Sequence, residues 1–117
     1  MKNIMITLRN KEEISKMKKS GELLAACHKE IGKLICPGIS TSEIDKFVED
    51  FLKKNGASPE QKGYQGYPYA ICASRNDVIC HGFPTKDPLN EGDIVGIDIV
   101  VNLDGWLADS AWTYAVG

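Results

Sequence analysis

The C-terminal segment, from residue 94 onward, restricts the fold of this chain more than any other part of the sequence. Residues 94–116 are rich in Val, Ile, Trp, Thr and Tyr, which favour β-strands, and Asp104-Gly105 interrupts them. An Asp-Gly pair between two such runs is typical of a tight hairpin turn, because both positions accept positive φ angles. The pattern therefore predicts one β-hairpin whose register is set by its turn.

The predicted register brings two carboxylates together. With a two-residue loop at the Asp-Gly pair, Val100 lies opposite Asp109, and Asp98 shares the face of Val100 because side chains alternate along a strand. Asp98 and Asp109 are then diagonal neighbours, about 7–8 Å apart at Cα. A four-residue loop would set them directly opposite each other, whereas an unbulged three-residue loop would put them on opposite faces.

Two aspartates within an apolar hairpin need a compensating group, because a buried, unpaired carboxylate costs several kcal/mol. No Lys or Arg occurs between residues 87 and 117 to serve as a local counter-ion. A divalent cation shared by Asp98 and Asp109 would relieve their repulsion, and so would a single shared proton. The alternative is that this face of the hairpin is solvated and the aspartates bind nothing.

Length and composition indicate one α+β domain over residues 1–117, with a net charge of -2. The mixed charges include no basic patch, so we expect no nucleic-acid or membrane partner. The N-terminal stretch is too short and interrupted for a signal sequence, which predicts a cytoplasmic protein. The four cysteines have no Cys-x-x-Cys spacing, which indicates buried thiols rather than a zinc or redox site.

Two amphipathic helices precede the hairpin. Residues 10–35 carry apolar side chains at helical spacing, and a second helix begins at Ser40 or Thr41 and ends at Asn55. Both starts carry a capping-box pattern. His28, on the polar side of the first helix, is predicted to be solvated. Helices followed by an antiparallel meander predict two helices packed on one face of an antiparallel sheet.

An aromatic loop and a histidine lie between the helices and the hairpin. The glycine-punctuated loop at residues 62–68 holds Tyr64 and Tyr67, a strand is predicted over residues 69–74, and His81 ends another short strand pattern. Alone, each feature is more typical of structural packing. Together with two strand carboxylates they are the components of metal-assisted hydrolysis, namely a cation that activates water, a hydrogen-bonding group and an apolar pocket.

Four motifs follow one another along the chain: Lys62-Gly-Tyr-Gln-Gly-Tyr-Pro68, Val78-Ile-Cys-His-Gly-Phe-Pro84, Glu91-Gly-Asp-Ile-Val-Gly-Ile-Asp98 and Asp104-Gly-Trp-Leu-Ala-Asp-Ser-Ala-Trp-Thr-Tyr-Ala-Val-Gly117. Their order and spacing resemble bacterial type I methionine aminopeptidases over nearly the whole chain. The resemblance implies the N-terminal half of the pita-bread fold. It also implies a metallo-exopeptidase that removes initiator methionine, with the N-terminal methionine of peptides and nascent proteins as its substrate.

The same resemblance implies roles for individual residues. Asp98 and Asp109 would be ligands of a dinuclear centre of divalent metal ions (Co, Mn, Fe or Zn), with Asp109 bridging. His81 would be the catalytic residue that contacts substrate near the scissile amide. Three more residues would bind the methionine side chain of the substrate: Tyr64, Tyr67 and Cys72. Gln61 stands where some relatives have cysteine, and Gln65 where some have histidine.

The resemblance covers about half of the family's fold and lacks the segment that supplies a His and two Glu ligands in the family. We therefore expect the chain to be inactive alone and to need complementation by a C-terminal half or self-association. One alternative is a non-catalytic peptide-binding or interaction module derived from the family. Another is a related pita-bread enzyme such as a proline-specific peptidase, although the Cys80-His81-Gly82 and Gly-Tyr-x-Gly-Tyr-Pro motifs favour methionine.

Overall fold

A computed structural model describes residues 9–78 and 82–117. Its elements are, in chain order, α1 (Lys11–Leu34), α2 (Thr41–Lys54), β1 (Ala57–Pro59), a 3-10 turn (Tyr64–Gly66), β2 (Cys72–Arg75), β3 (Ile94–Leu103) and β4 (Trp106–Ala115). Two helices followed by an antiparallel four-stranded sheet confirm the predicted α+β class. His81 lies outside the described residues, as does most of the strand predicted around it.

Both helices begin at the predicted capping boxes. The Asn10 side chain accepts a hydrogen bond from the Glu13 N–H at 2.8 Å, and the Glu13 carboxylate accepts one from the Asn10 N–H at 3.1 Å. Ser40 and Glu43 form the same reciprocal pair at the start of α2. Each pair satisfies N–H groups that the first helical turn leaves without partners, so the local sequence sets where each helix starts.

β3 is the central strand of the sheet. One of its edges pairs with β4 along its whole length, and its other edge pairs with β1 and β2, which lie end to end. β1 faces residues 101–103 of β3, and β2 faces residues 95–98. The ladder on that edge is therefore interrupted between β1 and β2.

Side-chain alternation along β3 separates a buried face from the face that carries the site. The alternate residues Val95, Ile97, Ile99 and Val101 are fully buried. They form one core cluster with apolar residues of both helices. Burying each such side chain stabilises the fold by about 1.5–3 kcal/mol, which pins the register of β3. Asp98 and Val100 alternate with these residues and project from the opposite face.

Three local expectations are wrong. β2 begins at Cys72 rather than Tyr69, because a side chain of α2 binds the preceding backbone N–H groups. Cys36 is exposed in the turn after α1, although Cys27 is buried as expected. His28 is half-buried, since β4 places Tyr114 against α1, with the Tyr114 hydroxyl 2.7 Å from His28 Nδ1.

Neither α1 nor α2, the two helices of the described residues, has the length and apolarity of a membrane span.

Candidate active site

The hairpin register is the predicted one. Asp104 and Gly105 form the two-residue turn with φ angles of 53° and 85°, the positive values that tight hairpin turns of this length require. Val100 pairs with Asp109, and two residues back along β3 lies Asp98. The two carboxylates therefore project from the same face of the sheet, opposite the core.

A cleft of about 570 Å³ opens on this face. Five of the six residues identified from the sequence line it: Tyr64, Tyr67, Cys72, Asp98 and Asp109. The sixth, His81, lies outside the described residues. The fold thus brings the aromatic loop and the two carboxylates, which are far apart in sequence, into one site.

Phe83 and Val100 also line the cleft and were missed by the sequence analysis. Val100 could have been found, because it lies two residues after Asp98 and therefore on the same face of β3. Phe83 carries no periodic signal. Its place follows from packing, since its ring centroid lies 5.7 Å from that of Tyr67 and 5.9 Å from that of Tyr69.

Tyr67 anchors the aromatic wall of the cleft. Its hydroxyl donates a hydrogen bond to the Ile71 carbonyl oxygen at 2.7 Å. Burial is the main cause that raises the pKa of the Tyr67 phenol, so the hydroxyl stays protonated and able to donate. Tyr64 is 69% exposed and forms the outer rim. The wall is therefore held in place at Tyr67 and open to solvent at Tyr64.

Asp45 of α2 holds the chain that leads into β2. Its Oδ1 atom accepts hydrogen bonds from the Ala70 N–H at 2.7 Å and the Ile71 N–H at 3.1 Å. Both donor residues are fully buried. Burial raises the pKa of the Asp45 carboxyl, and the two backbone hydrogen bonds act in the opposite direction. This carboxylate takes the place of a strand partner and sets the backbone beside Cys72.

Gln61 connects the cleft loop to two strands. Its Nε2 donates to the Asp98 carbonyl oxygen at 3.2 Å, and its Oε1 accepts from the Cys72 Sγ at 3.1 Å. The Gln61 side chain thus binds the backbone of one candidate metal ligand and the side chain of a candidate pocket residue.

The donor set fits a divalent metal in kind but not in number. Carboxylate oxygens are preferred ligands of hard divalent cations, and no Lys or Arg is among the described residues that line the cleft. Within residues 9–78 and 82–117, however, no group of three or more His, Cys, Asp or Glu side chains could hold an ion. Asp98 and Asp109 can therefore supply only part of a coordination shell.

Comparisons with known proteins identify relatives of this chain. Residues 15–117 match the family model "Metallopeptidase family M24". Methionine aminopeptidase 1 of Bacillus subtilis is 46% identical over 113 residues, which cover 97% of this chain and 46% of that protein. The chain thus spans about half the length of this relative.

Solved structures support the predicted fold. The crystal structure of methionine aminopeptidase from Rickettsia prowazekii superposes with a TM-score of 0.94 at 37% identity, covering 97% of this chain and 46% of that one. Prolidase from Pyrococcus horikoshii superposes with a TM-score of 0.78 at 22% identity over 93% of this chain and 30% of its own, a likeness of fold alone. The N-terminal half of the pita-bread fold is confirmed.

Proposed function

Because this chain belongs to metallopeptidase family M24, we propose that it is part of a methionine aminopeptidase that removes initiator methionine from nascent proteins. The observation that carries the proposal is the hairpin register, which sets Asp98 and Asp109 on one face. Both line the same cleft as the aromatic loop. A single domain over residues 1–117, forming the N-terminal half of a catalytic domain, and a cytoplasmic location go with this proposal.

In this proposal Asp98 and Asp109 would be ligands of a dinuclear centre of divalent ions, Co, Mn, Fe or Zn, with Asp109 serving both ions. Such ions, when bound, lower the pKa of water and polarise a carbonyl group. The task of the two carboxylates would be to hold the positive charge of these ions at one place in the cleft. They lie on one face of the paired strands β3 and β4, and β3 is anchored in the core, which suits this task because a rigid support keeps ligands in one geometry.

The remaining residues bind and orient the substrate. Tyr67 and Cys72, with Tyr64 at the rim, surround the methionine side chain, whose polarizable thioether packs well against aromatic rings. His81 hydrogen-bonds the substrate near the scissile amide and stabilises charge that develops there. Phe83 joins this wall through its contact with Tyr67.

We further propose that the activity needs metal ligands beyond those of residues 1–117. Hard divalent ions take about six or more donors, and two carboxylates leave most of them to water, so the chain alone should bind metal weakly and hydrolyse nothing measurable. Within the described residues β4 pairs only with β3, and Trp112 on β4 is 64% exposed. This edge suits complementation by a C-terminal half, or self-association.

Complementation tests the proposal. The chain is assayed for methionine release from a Met-Ala-Ser peptide with Mn²⁺, alone and mixed with the remaining part of the Bacillus subtilis relative. We expect release only in the mixture, and its loss when Asp98→Asn and Asp109→Asn are combined. His81→Ala should reduce release strongly with little change in melting temperature. Release that persists in the doubly substituted chain would contradict the metal assignment.

A second candidate function is a non-catalytic module that binds peptides. The observation that favours it is the contrast between a well-formed aromatic wall and a metal-ligand set of fewer than three side chains in the described residues. Titration of the chain with Met-Ala-Ser in the presence of EDTA, followed by NMR, separates the two. Saturable shifts at Tyr67 without metal, together with no release after complementation, would favour the module.

A further inference from the structure

Phe83 presents an aromatic ring both to the cleft and to solvent. It lines the cleft together with Tyr67 and Cys72, and 62% of its surface is exposed. An apolar ring that stays open in a concave site offers a surface that a ligand can cover, and removing such a surface from water is favourable. Phe83 is therefore a candidate for direct contact with the substrate.

Two further rings hold Phe83 in place. Its centroid lies 5.7 Å from that of Tyr67 and 5.9 Å from that of Tyr69, and the two tyrosine rings are themselves 5.7 Å apart. All three separations fall within the range of favourable aromatic pairs. Each ring thus contacts the other two, so Phe83 keeps a defined position although most of its surface is open.

The backbone at Gly82 brings Phe83 against β2. The Gly82 carbonyl accepts a hydrogen bond from the Ala73 N–H at 2.8 Å, and the Gly82 N–H donates to the Ser74 hydroxyl at 3.3 Å. A Cβ atom at residue 82 would clash with the Ala73 carbonyl oxygen, so only glycine permits this close approach. Phe83 is thereby attached to the strand that carries Cys72.

We propose that Phe83 is a specificity-determining residue whose ring contacts the thioether sulfur of an N-terminal methionine. This inference rests on the proposed function, in which the cleft takes the methionine side chain. A polarizable sulfur beside an aromatic ring is attracted more strongly than a methylene group in the same place. Phe83 thus distinguishes methionine from norleucine, which has nearly the same length and shape but carries a methylene group instead of the sulfur.

Binding of two tripeptides to the full chain tests this role. Met-Ala-Ser and norleucine-Ala-Ser are titrated in the presence of EDTA while the amide NMR signals of Cys72 and Val100 are followed. The dissociation constant for norleucine-Ala-Ser divided by that for Met-Ala-Ser gives the preference for sulfur. We expect a preference of about two- to tenfold in the unsubstituted chain, the range that one sulfur–aromatic contact supplies.

Three variants assign this preference to a ring. Phe83→Leu keeps an apolar side chain and removes the ring, so the preference should disappear. Phe83→Tyr keeps the ring and should retain the preference. Trp112→Leu is the matched control, because Trp112 is 64% exposed, nearly as much as Phe83, but shares the opposite face of the sheet with its buried partner Ile97. This variant should retain the preference as well.

A preference that persists in Phe83→Leu would overturn the role of Phe83 and leave the methionine pocket of the proposed function standing. Equal binding of the two tripeptides by the unsubstituted chain would have the same meaning. A chain that binds Ala-Ala-Ser as tightly as Met-Ala-Ser, or binds neither, would refute the role and the pocket together. If Phe83→Leu does not fold, nuclear Overhauser effects in the unsubstituted chain decide: contacts from the methionine methyl protons to the Phe83 ring support the role, and their absence overturns it.

Discussion

Replacing Asp45 by alanine is expected to lower the free energy of unfolding by about 2–4 kcal/mol. The Asp45 carboxylate accepts hydrogen bonds from the N–H groups of Ala70 and Ile71, and both residues are fully buried. A buried N–H that loses its partner costs about 1–3 kcal/mol, so two such groups give about 2–6 kcal/mol. Water that enters beside the half-buried Asp45 position recovers part of this loss, which gives the lower range.

Urea unfolding followed by circular dichroism measures this loss. Asp50→Ala is the matched control, because Asp50 lies exposed on the same helix, and it should change stability by no more than about 0.5 kcal/mol. In a chain of this size a loss of about 3 kcal/mol corresponds to a melting temperature lower by roughly 12 °C. If Asp45→Ala and Asp50→Ala behave alike, the Asp45 carboxylate does not hold this segment and the reasoning fails.

The pH dependence of stability gives an independent check on Asp45. Burial raises the pKa of its carboxyl above the ordinary value of 3.8, so the folded protein binds the proton more tightly than the unfolded chain. The stability that this tighter proton binding contributes is fully present below the ordinary pKa and is lost as pH rises through the raised pKa. Asp45→Asn stays neutral, so its stability relative to the unsubstituted chain should improve between about pH 3 and pH 7. A difference independent of pH would contradict the raised pKa.

Three further measurements concern the hairpin. Asp109→Asn should weaken Mn²⁺ binding more than Asp98→Asn in calorimetry, because a bridging ligand serves both ions; equal losses would argue against bridging. Tyr114→Phe should lower the free energy of unfolding by about 1–2 kcal/mol in urea, since the hydroxyl donates to the His28 carbonyl at 2.9 Å and contacts its ring; an unchanged midpoint would refute this. Trp112→Ser should raise the monomer fraction in analytical ultracentrifugation, because it removes an indole that is 64% exposed on an edge strand; an unchanged distribution would exclude Trp112 from self-association.

The parts of the fold that were predicted correctly depend on short stretches of sequence. The helix starts at Asn10 and Ser40 follow from capping boxes, in which the partners are three residues apart. The hairpin register follows from the turn at Asp104-Gly105, since one tight turn sets every pair that follows it. The placement of Asp98 and Asp109 as diagonal neighbours on one face follows from this turn and from the alternation of side chains along each strand.

What surrounds those carboxylates was decided by tertiary structure. Strand and helix periodicity indicate which face of an element is apolar, but they do not indicate which distant segment covers it. The Asp45 carboxylate reaches backbone 25 residues away, and His28 meets the Tyr114 hydroxyl across 86 residues. The Gln61 amide of the cleft loop donates to the Asp98 carbonyl, 37 residues further along the chain. Local sequence patterns thus account for the two carboxylates and their common face, whereas the packing of loop and helix against the sheet accounts for how that face is held.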